Sequence, residues 1–212
     1  MRLLIVGESG RIGSLALARA LAGGNEVVAV VRNPQSIALA AGLDIIAGDV
    51  RDEPVLRSAL RDTKAVVAAL DPRSNTLADE LALEDGMRTL VAAMSGEGVG
   101  RLVALSGAAV DVPGDHKPFI DRVASKVVRR LARHVVGAKQ REFDVFAAST
   151  LEWTALRPPL VTDGPEKGYR LDLELTPGAR VTRADVARAL VDQLEDRTYV
   201  HAAPFVLPAR SR

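Results

Sequence analysis

The sequence contains no cysteine, so disulfides, thiolate chemistry and zinc ribbons are excluded. Aromatic residues supply only 3% of the chain, which leaves Val, Ala and Leu to build the core. No one sign of charge dominates. The 28 basic and 27 acidic side chains leave a net +1, and that balance gives no long-range field to draw DNA or a membrane surface. No apolar run approaches the ~20 residues a membrane span needs. The first apolar run, Leu3-Leu4-Ile5-Val6, stops at Gly7. That is short of the roughly 7–15 residues of a signal-peptide core. These absences predict a cytoplasmic protein, monomeric or weakly dimeric, with no nucleic-acid or membrane partner.

What is present is an alternation of apolar runs with helix-period stretches over all 212 residues. That pattern predicts βαβ units around a parallel sheet, in one domain spanning 1–212. Strands are expected at Leu3–Val6, Val27–Val31, Leu43–Ala47, Ala65–Leu70, Arg101–Leu105 and Trp153–Leu156. Helices are expected at Arg11–Ala22, at Pro54–Leu60 with Pro54 in the first helical position, and at Thr76–Met94. Gly107–Pro118 reads as a loop, and Phe119–Ala148 as a helix broken near Gly137. Leu160–Pro177 reads as loop and short strand, Thr182 as the cap of a last helix through Leu194, and Val200–Leu207 as an edge strand. The expected fold is an α/β Rossmann domain, a doubly wound parallel sheet of order 3-2-1-4-5-6. Its ligand should lie across the carboxyl ends of strands one and four.

The chemistry concentrates at the first turn, Gly7-Glu8-Ser9-Gly10-Arg11-Ile12-Gly13, between a buried strand and a helix. Gly7 suits the tight turn, Gly10 the close approach of a pyrophosphate to the backbone, and Gly13 close helix–sheet packing. The helix N-terminus then offers free N–H groups and a positive dipole end to the phosphates. A purely structural turn is the alternative, but the strand before it and the helix after it favour a dinucleotide. The second strand ends Val30-Val31-Arg32-Asn33, without the acid that holds the ribose hydroxyls of NAD. Arg32 can pair with a 2′-phosphate through its planar fork, which predicts NADP(H) over NAD(H). A solvated surface Arg is the alternative.

With the turn, Arg32, Gly48-Asp49-Val50 and Trp153-Thr154-Ala155-Leu156-Arg157-Pro158-Pro159 in place, the chain resembles a known family. These are the atypical short-chain dehydrogenase/reductases of the NAD(P)H-binding, NmrA-like type, flavin reductases among them. Ser149-Thr150-Leu151-Glu152-Trp153-Thr154 is similar to the family's S-G-L-D-W-T segment. The resemblance covers nearly the whole chain. It implies that Gly7, Ser9, Gly10, Arg11, Ile12, Gly13 and Arg32 bind the cofactor phosphates. It places Asp49 and Val50 at the adenine, and Leu70, Ser106, Lys139, Pro158 and Leu160 toward the nicotinamide end. Ser106 and Lys139 are the implied catalytic positions. The family's Tyr-x-x-x-Lys departs here, because the Tyr position falls on Val135 and the only tyrosines are Tyr169 and Tyr199. The usual carbonyl acid is therefore missing.

The resemblance implies an NADPH-dependent reductase of a planar acceptor, a flavin or quinone that takes its proton from water. The alternative it leaves open is a non-catalytic NADP(H) sensor. The remaining candidates carry less. His116, His134 and His201 have no metal spacing, and each reads as a surface residue. The basic stretch from Lys126 to Arg141 lacks interleaved aromatics and reads as a solvated helix face. No G-x-S-x-G elbow surrounds Ser106. Asp115 and Asp163 are acids without a signal that selects either as a proton donor.

Overall fold

The apolar runs assemble into a six-stranded sheet of order β3-β2-β1-β4-β5-β6, with every pairing parallel. The strands are β1 (Arg2–Val6), β2 (Glu26–Val31), β3 (Leu43–Ala47), β4 (Ala65–Ala68), β5 (Arg101–Leu105) and β6 (Glu152–Leu156). The structure is a computed structural model, and it describes residues 1–115 and 132–210. The basic positions Lys126, Arg129 and Arg130, the first part of the helix expected from Phe119 (119–131) and His116 lie outside the described residues.

Each central strand divides its side chains between two cores, as a sheet buried on both faces requires. Leu4, Val6, Val28, Val66 and Leu102 point to one face. Three helices cover that face: α2 (Glu53–Leu60), α3 (Leu77–Gly96) and α4 (Arg133–Ala147). Leu3, Ile5, Val27, Val67 and Val103 point to the other, under α1 (Arg11–Ala22) and α5 (Arg183–Asp192). The scarce aromatics are pooled. Phe143 and Phe146 of α4 meet edge-on at 5.4 Å, and Phe143 meets Trp153 of β6 at 5.6 Å. Such offset contacts suit the ring quadrupole and tie α4 to the sheet.

Several boundaries depart from the sequence expectations. Helix α2 starts one residue earlier, because the Asp52 side chain accepts from the Val55 N–H at 3.3 Å. Pro54 is thus the second helical residue, still within the turn that needs no N–H partner. Strand β4 ends at Ala68 rather than Leu70. Thr76 caps α3 instead of joining it. Helix α4 runs through Gly137 without a break. That glycine serves packing: a Cβ there would lie 2.6 Å from the Glu80 carboxylate of α3. Thr182 caps α5 as expected.

The C-terminal chain is more elaborate than a single edge strand. Residues 201–206 run parallel to β6, with His201 N–H to Trp153 O at 2.7 Å and Arg157 N–H to Pro204 O at 2.9 Å. β10 (Phe205–Pro208) then pairs antiparallel with β8 (Tyr169–Asp172), while β7 (Leu160–Thr162) pairs with β9 (Arg180–Thr182).

Arg157 locks this region together. Its side chain is 1% exposed. Its guanidinium grips Asp115 in a two-bond fork at 2.5 and 2.8 Å, donates to Ala203 O at 2.7 Å and lies 4.0 Å over the Phe205 ring. Such a fork is a fixed geometric tie between the loop after β5 and the C-terminal strand. Asp115 is thereby assigned a structural partner. Replacing Arg157 by Leu removes one partner of a buried pair and leaves buried acceptors short of donors. Urea denaturation should show a loss of about 3 kcal/mol. A change below 1 kcal/mol would remove Arg157 from this role.

Candidate functional site

Strand β1 and helix α1 meet at a turn that the chain can make only with glycine. Gly7 has φ +84°, and a Cβ on it would lie 2.3 Å from Ala69 O. A Cβ on Gly13 would lie 2.1 Å from Gly7 O. Both positions are closed by the protein's own backbone. Gly10 differs, since its added Cβ meets only Gly7 O, at 3.2 Å. The open side of Gly10 is where a ligand can approach the backbone. Gly10 is also the N-cap of α1, with no side-chain cap bond and no acid in the first turn. By contrast α2, α3 and α5 are capped by Asp52, Thr76 and Thr182. The free N–H groups of α1 therefore have no side-chain acceptor, which is the condition for an anion site.

This turn opens into a cleft of about 360 Å³ at the carboxyl ends of β1, β2, β3 and β4. Gly7, Ser9, Arg32, Asp49, Val50 and Leu70 line it, as do Glu8, Arg51, Asp71 and Arg73. It lies where the strand order reverses, the place at which doubly wound sheets hold nucleotides. Arg32 stands exposed at the end of β2. The Asp49 carboxylate accepts from Arg51 Nε at 2.8 Å and from the Arg51 backbone N–H at 3.0 Å. The Arg51 hydrogen bonds hold that carboxyl below its ordinary range.

Beyond the cleft, α4 carries Lys139 to the ends of β4 and β5. Its ammonium donates to Leu70 O, to Leu105 O at 2.8 Å and to Glu142 Oε2 at 3.0 Å, and Asp71 lies 3.4 Å away. Burial disfavours the ammonium, but Glu142 and Asp71 outweigh it and raise the Lys139 pKa. The lysine stays charged. Glu142 is 1% exposed, and burial pushes its carboxyl up to about 7 against the pull of Lys139. Lys139 is thus removed from the solvated basic face on which its spacing places it. Arg141 fits that face better, half exposed and paired with Glu80 at 2.8 Å and Glu84 at 3.0 Å.

Ser106 follows β5. Its N–H donates to Leu156 O at 2.8 Å, and its buried Oγ has no partner. Pro158 is buried after β6, Leu160 is 51% exposed, Arg11 is exposed on α1 and Ile12 packs on the core under that helix. These four, with Gly10, Gly13, Ser106 and Lys139, are not among the residues lining the cleft. Both tyrosines are engaged elsewhere, Tyr169 with Asp192 at 2.9 Å and Tyr199 with Leu171 O at 3.1 Å. His134 bonds Glu80 at 2.7 Å and His201 bonds Leu151 O at 3.0 Å. Among the described residues no His/Asp/Glu group could hold a metal ion, and no helix is long and apolar enough to cross a membrane. Asp163 pairs with Arg183.

Sequence reasoning passed over three acids: Glu8, Asp71 and Glu142. An i,i+3 carboxylate beside Lys139 was visible as helix spacing. Glu8 carried a plainer signal, an acid inside a turn built for anions.

The fold and the cleft define a Rossmann-type dinucleotide-binding domain. Residues 7–197 match the model of the NAD(P)H-binding family, and the chain belongs to that family. Uncharacterized proteins of Mycobacterium tuberculosis and Mycobacterium bovis are each 32% identical to it over 124 residues, or 58% of this chain. That match covers only 13% of those proteins, which are far longer than this chain. Among solved structures, a Lactobacillus casei protein superposes with TM-score 0.82 at 25% identity, covering 99% of this chain and 100% of its own. An anaerobilin reductase of Escherichia coli O157:H7 superposes with TM-score 0.79 at 19% identity, over 100% and 99% of the two chains. A Veillonella parvula short-chain dehydrogenase/reductase in complex with NADP gives TM-score 0.75 at 20% identity, over 98% and 94%.

The buried acid on the turn generates a stability prediction. Burial pushes the Glu8 carboxyl up to about 7, partly offset by the backbone amides of residues 8, 9 and 7. The folded state therefore holds this proton more tightly than the unfolded chain does. Its contribution is complete below the ordinary carboxyl pKa and is lost as pH rises through about 7. Glu8→Gln should match the native protein at pH 4.5 and exceed it at pH 8 by roughly 3 kcal/mol in urea denaturation. Equal stability at both pH values would show that the carboxyl is not desolvated.

Proposed function

We propose that the protein is an NADPH-dependent reductase that passes hydride to a planar acceptor of the flavin or quinone class without a tyrosine acid. The observation that carries this reading is a charged lysine at the strand ends beside the cleft, with neither tyrosine near it. Lys139 bonds the carbonyls of Leu70, two residues past β4, and Leu105, the last residue of β5, while Tyr169 and Tyr199 are tied to Asp192 and Leu171. The residues fit the cofactor. Gly10 leaves its open side to a pyrophosphate, α1 offers uncapped N–H groups, and Arg32 supplies a fork for a 2′-phosphate.

The cofactor supplies a hydride when bound. The chain contributes alignment and charge. Ser106 Oγ, buried and unpartnered, is available to hold the nicotinamide carboxamide or an acceptor oxygen. Lys139 reaches a ribose hydroxyl by exchanging one of its carbonyl partners, and its charge favours an acceptor that gains negative charge. Positioning alone can lower such a barrier by about 7–11 kcal/mol. The anaerobilin reductase and NADP-complex neighbours support this class of reaction and cofactor. The engagement of Lys139 with two carbonyls and Glu142 supports a second reading, a sensor that binds NADP(H) without turnover.

Stopped-flow mixing with NADPH separates them. Quinones and flavins, which form stable reduced anions, should turn over, whereas a ketone of similar size should not. Lys139→Ala should weaken NADPH binding and slow turnover together, and Arg32→Asp should shift the preference toward NADH. Faster reduction of the ketone would require another proton donor, and binding without any turnover would favour the sensor.

A further inference from the structure

Glu8 is 3% exposed, lines the dinucleotide cleft, and keeps one carboxyl oxygen, Oε2, without a hydrogen-bond partner. It sits on the second residue of the turn that cradles phosphate, where an acid is the least expected side chain. Among the described residues no charged side chain pairs with it. Among the described residues, Arg32 after β2, Asp49 and Arg51 after β3, Asp71 and Arg73 after β4 and Asp79 of α3 are the ionisable groups that line the cleft with it, and none forms an ion pair with it. What acts on it is burial, opposed by the backbone amides of Gly7, Glu8 and Ser9. Those amides belong to the turn that would receive the cofactor phosphates.

We propose that Glu8 is a cofactor-binding residue whose carboxyl, carrying its proton, donates a hydrogen bond to the dinucleotide pyrophosphate, so that binding takes up one proton. The inference rests on the family's cofactor binding at this turn. An ionised Glu8 and a pyrophosphate would compete for the same amides and repel each other in a desolvated pocket. A protonated Glu8 turns the conflict into a bond, because a neutral carboxyl has one O–H donor and a phosphate oxygen is an acceptor. The free protein is poised for this exchange, with burial holding the carboxyl at about 7. The unpartnered Oε2 is then an atom awaiting its acceptor. The proton comes from solvent and returns there on release, and no covalent bond changes.

Proton linkage fixes the expected behaviour. NADPH affinity of the native protein should fall about tenfold for each pH unit above 7 and be nearly flat below 6. Glu8→Gln donates the same bond through its amide at every pH, so its Kd should not change between pH 6 and 8.5. Glu8→Ala should be equally flat but several-fold weaker than the native protein at pH 6. Calorimetry in two buffers of different ionisation enthalpy should report uptake of close to one proton at pH 8 by the native protein and none by Glu8→Gln. NADH, which lacks the 2′-phosphate, should show the same slope. A slope confined to NADPH would place the proton at the ribose phosphate and overturn the proposal. Tight, pH-independent binding by the native protein would overturn it alone, as would a slope surviving in Glu8→Gln. Failure of every form to bind either nucleotide would overturn both the proposal and the reading beneath it.

Discussion

Gly7 and Gly13 touch backbone to backbone, and the arrangement of the first βα unit follows from that contact. An added Cβ on either residue would overlap main-chain atoms at 2.1–2.3 Å, so the turn cannot be widened by a rotamer change. The contact sets α1 low over β1 and brings its free N–H groups to the carboxyl edge of the sheet. Ala69, on the other side of Gly7, is held by its N–H to Val6 O at 2.9 Å. Because Ala69 lies against the turn, the chain leaves β4 at once, and Leu70 and Asp71 pass into the cleft wall. The glycine requirement and the early end of β4 are one constraint seen from two strands.

The second constraint is electrostatic. A parallel sheet ends in a row of carbonyls, and here Leu105 O at the end of β5 and Leu70 O, two residues past β4, receive one ammonium. Lys139 joins the ends of β4 and β5 much as a metal ion would. Its charge is balanced by Glu142 beneath it and Asp71 beside it. A buried ion pair adds little net stability once desolvation is counted, but it fixes geometry, because losing either partner strands a charge. The pair places α4 against the sheet edge, and the aromatic contacts of Phe143 and Phe146 with Trp153 complete that seat.

The sequence was most legible where a local pattern and a global role coincide. Strand β3 and helix α1 fall on the bounds that their patterns predict, and the sheet has the order expected of a doubly wound fold. It was least legible where a residue answers to a partner distant in the chain. Gly137 looks like a helix breaker until Glu80, 57 positions earlier, is seen to need the space. Val200–Leu207 reads as a plain edge strand, but Pro204 has no N–H to donate there, and the Arg157 side chain binds the segment laterally at Ala203 O and the Phe205 ring. Lys139 looks like one of several solvated cations, because helix spacing reports a face and not what the face meets. At the candidate site, Gly7, Ser9, Arg32, Asp49, Val50 and Leu70 were legible as lining residues from the glycine spacing and the family resemblance together. Glu8 was passed over although an acid inside an anion turn was visible in the sequence, because that resemblance assigns roles only where this chain agrees with the family.

Satisfied and unsatisfied polar groups divide the molecule along the same line. Arg157, Arg141 and the caps of α2, α3 and α5 find partners inside the chain, and they hold elements together. Among the described residues, buried side-chain atoms without a partner occur on Glu8, Ser106, Glu142, Arg101 and Gln193. The last two adjoin at the amino end of β5, where Arg101 donates to the carbonyls of Gln193 and Asp196. The first three belong to the carboxyl end, on the turn after β1, after β5 and on the helix above them. Each buried polar atom left unpaired costs about 1–3 kcal/mol. A fold that caps α2, α3 and α5 and pairs Arg157 had the means to remove such a cost. At the carboxyl end, where doubly wound sheets bind nucleotides, these atoms are bonding capacity that folding leaves unused. Of the three residues only Glu8 lines the cleft itself, while Ser106 follows β5 and Glu142 sits on α4 beside Lys139.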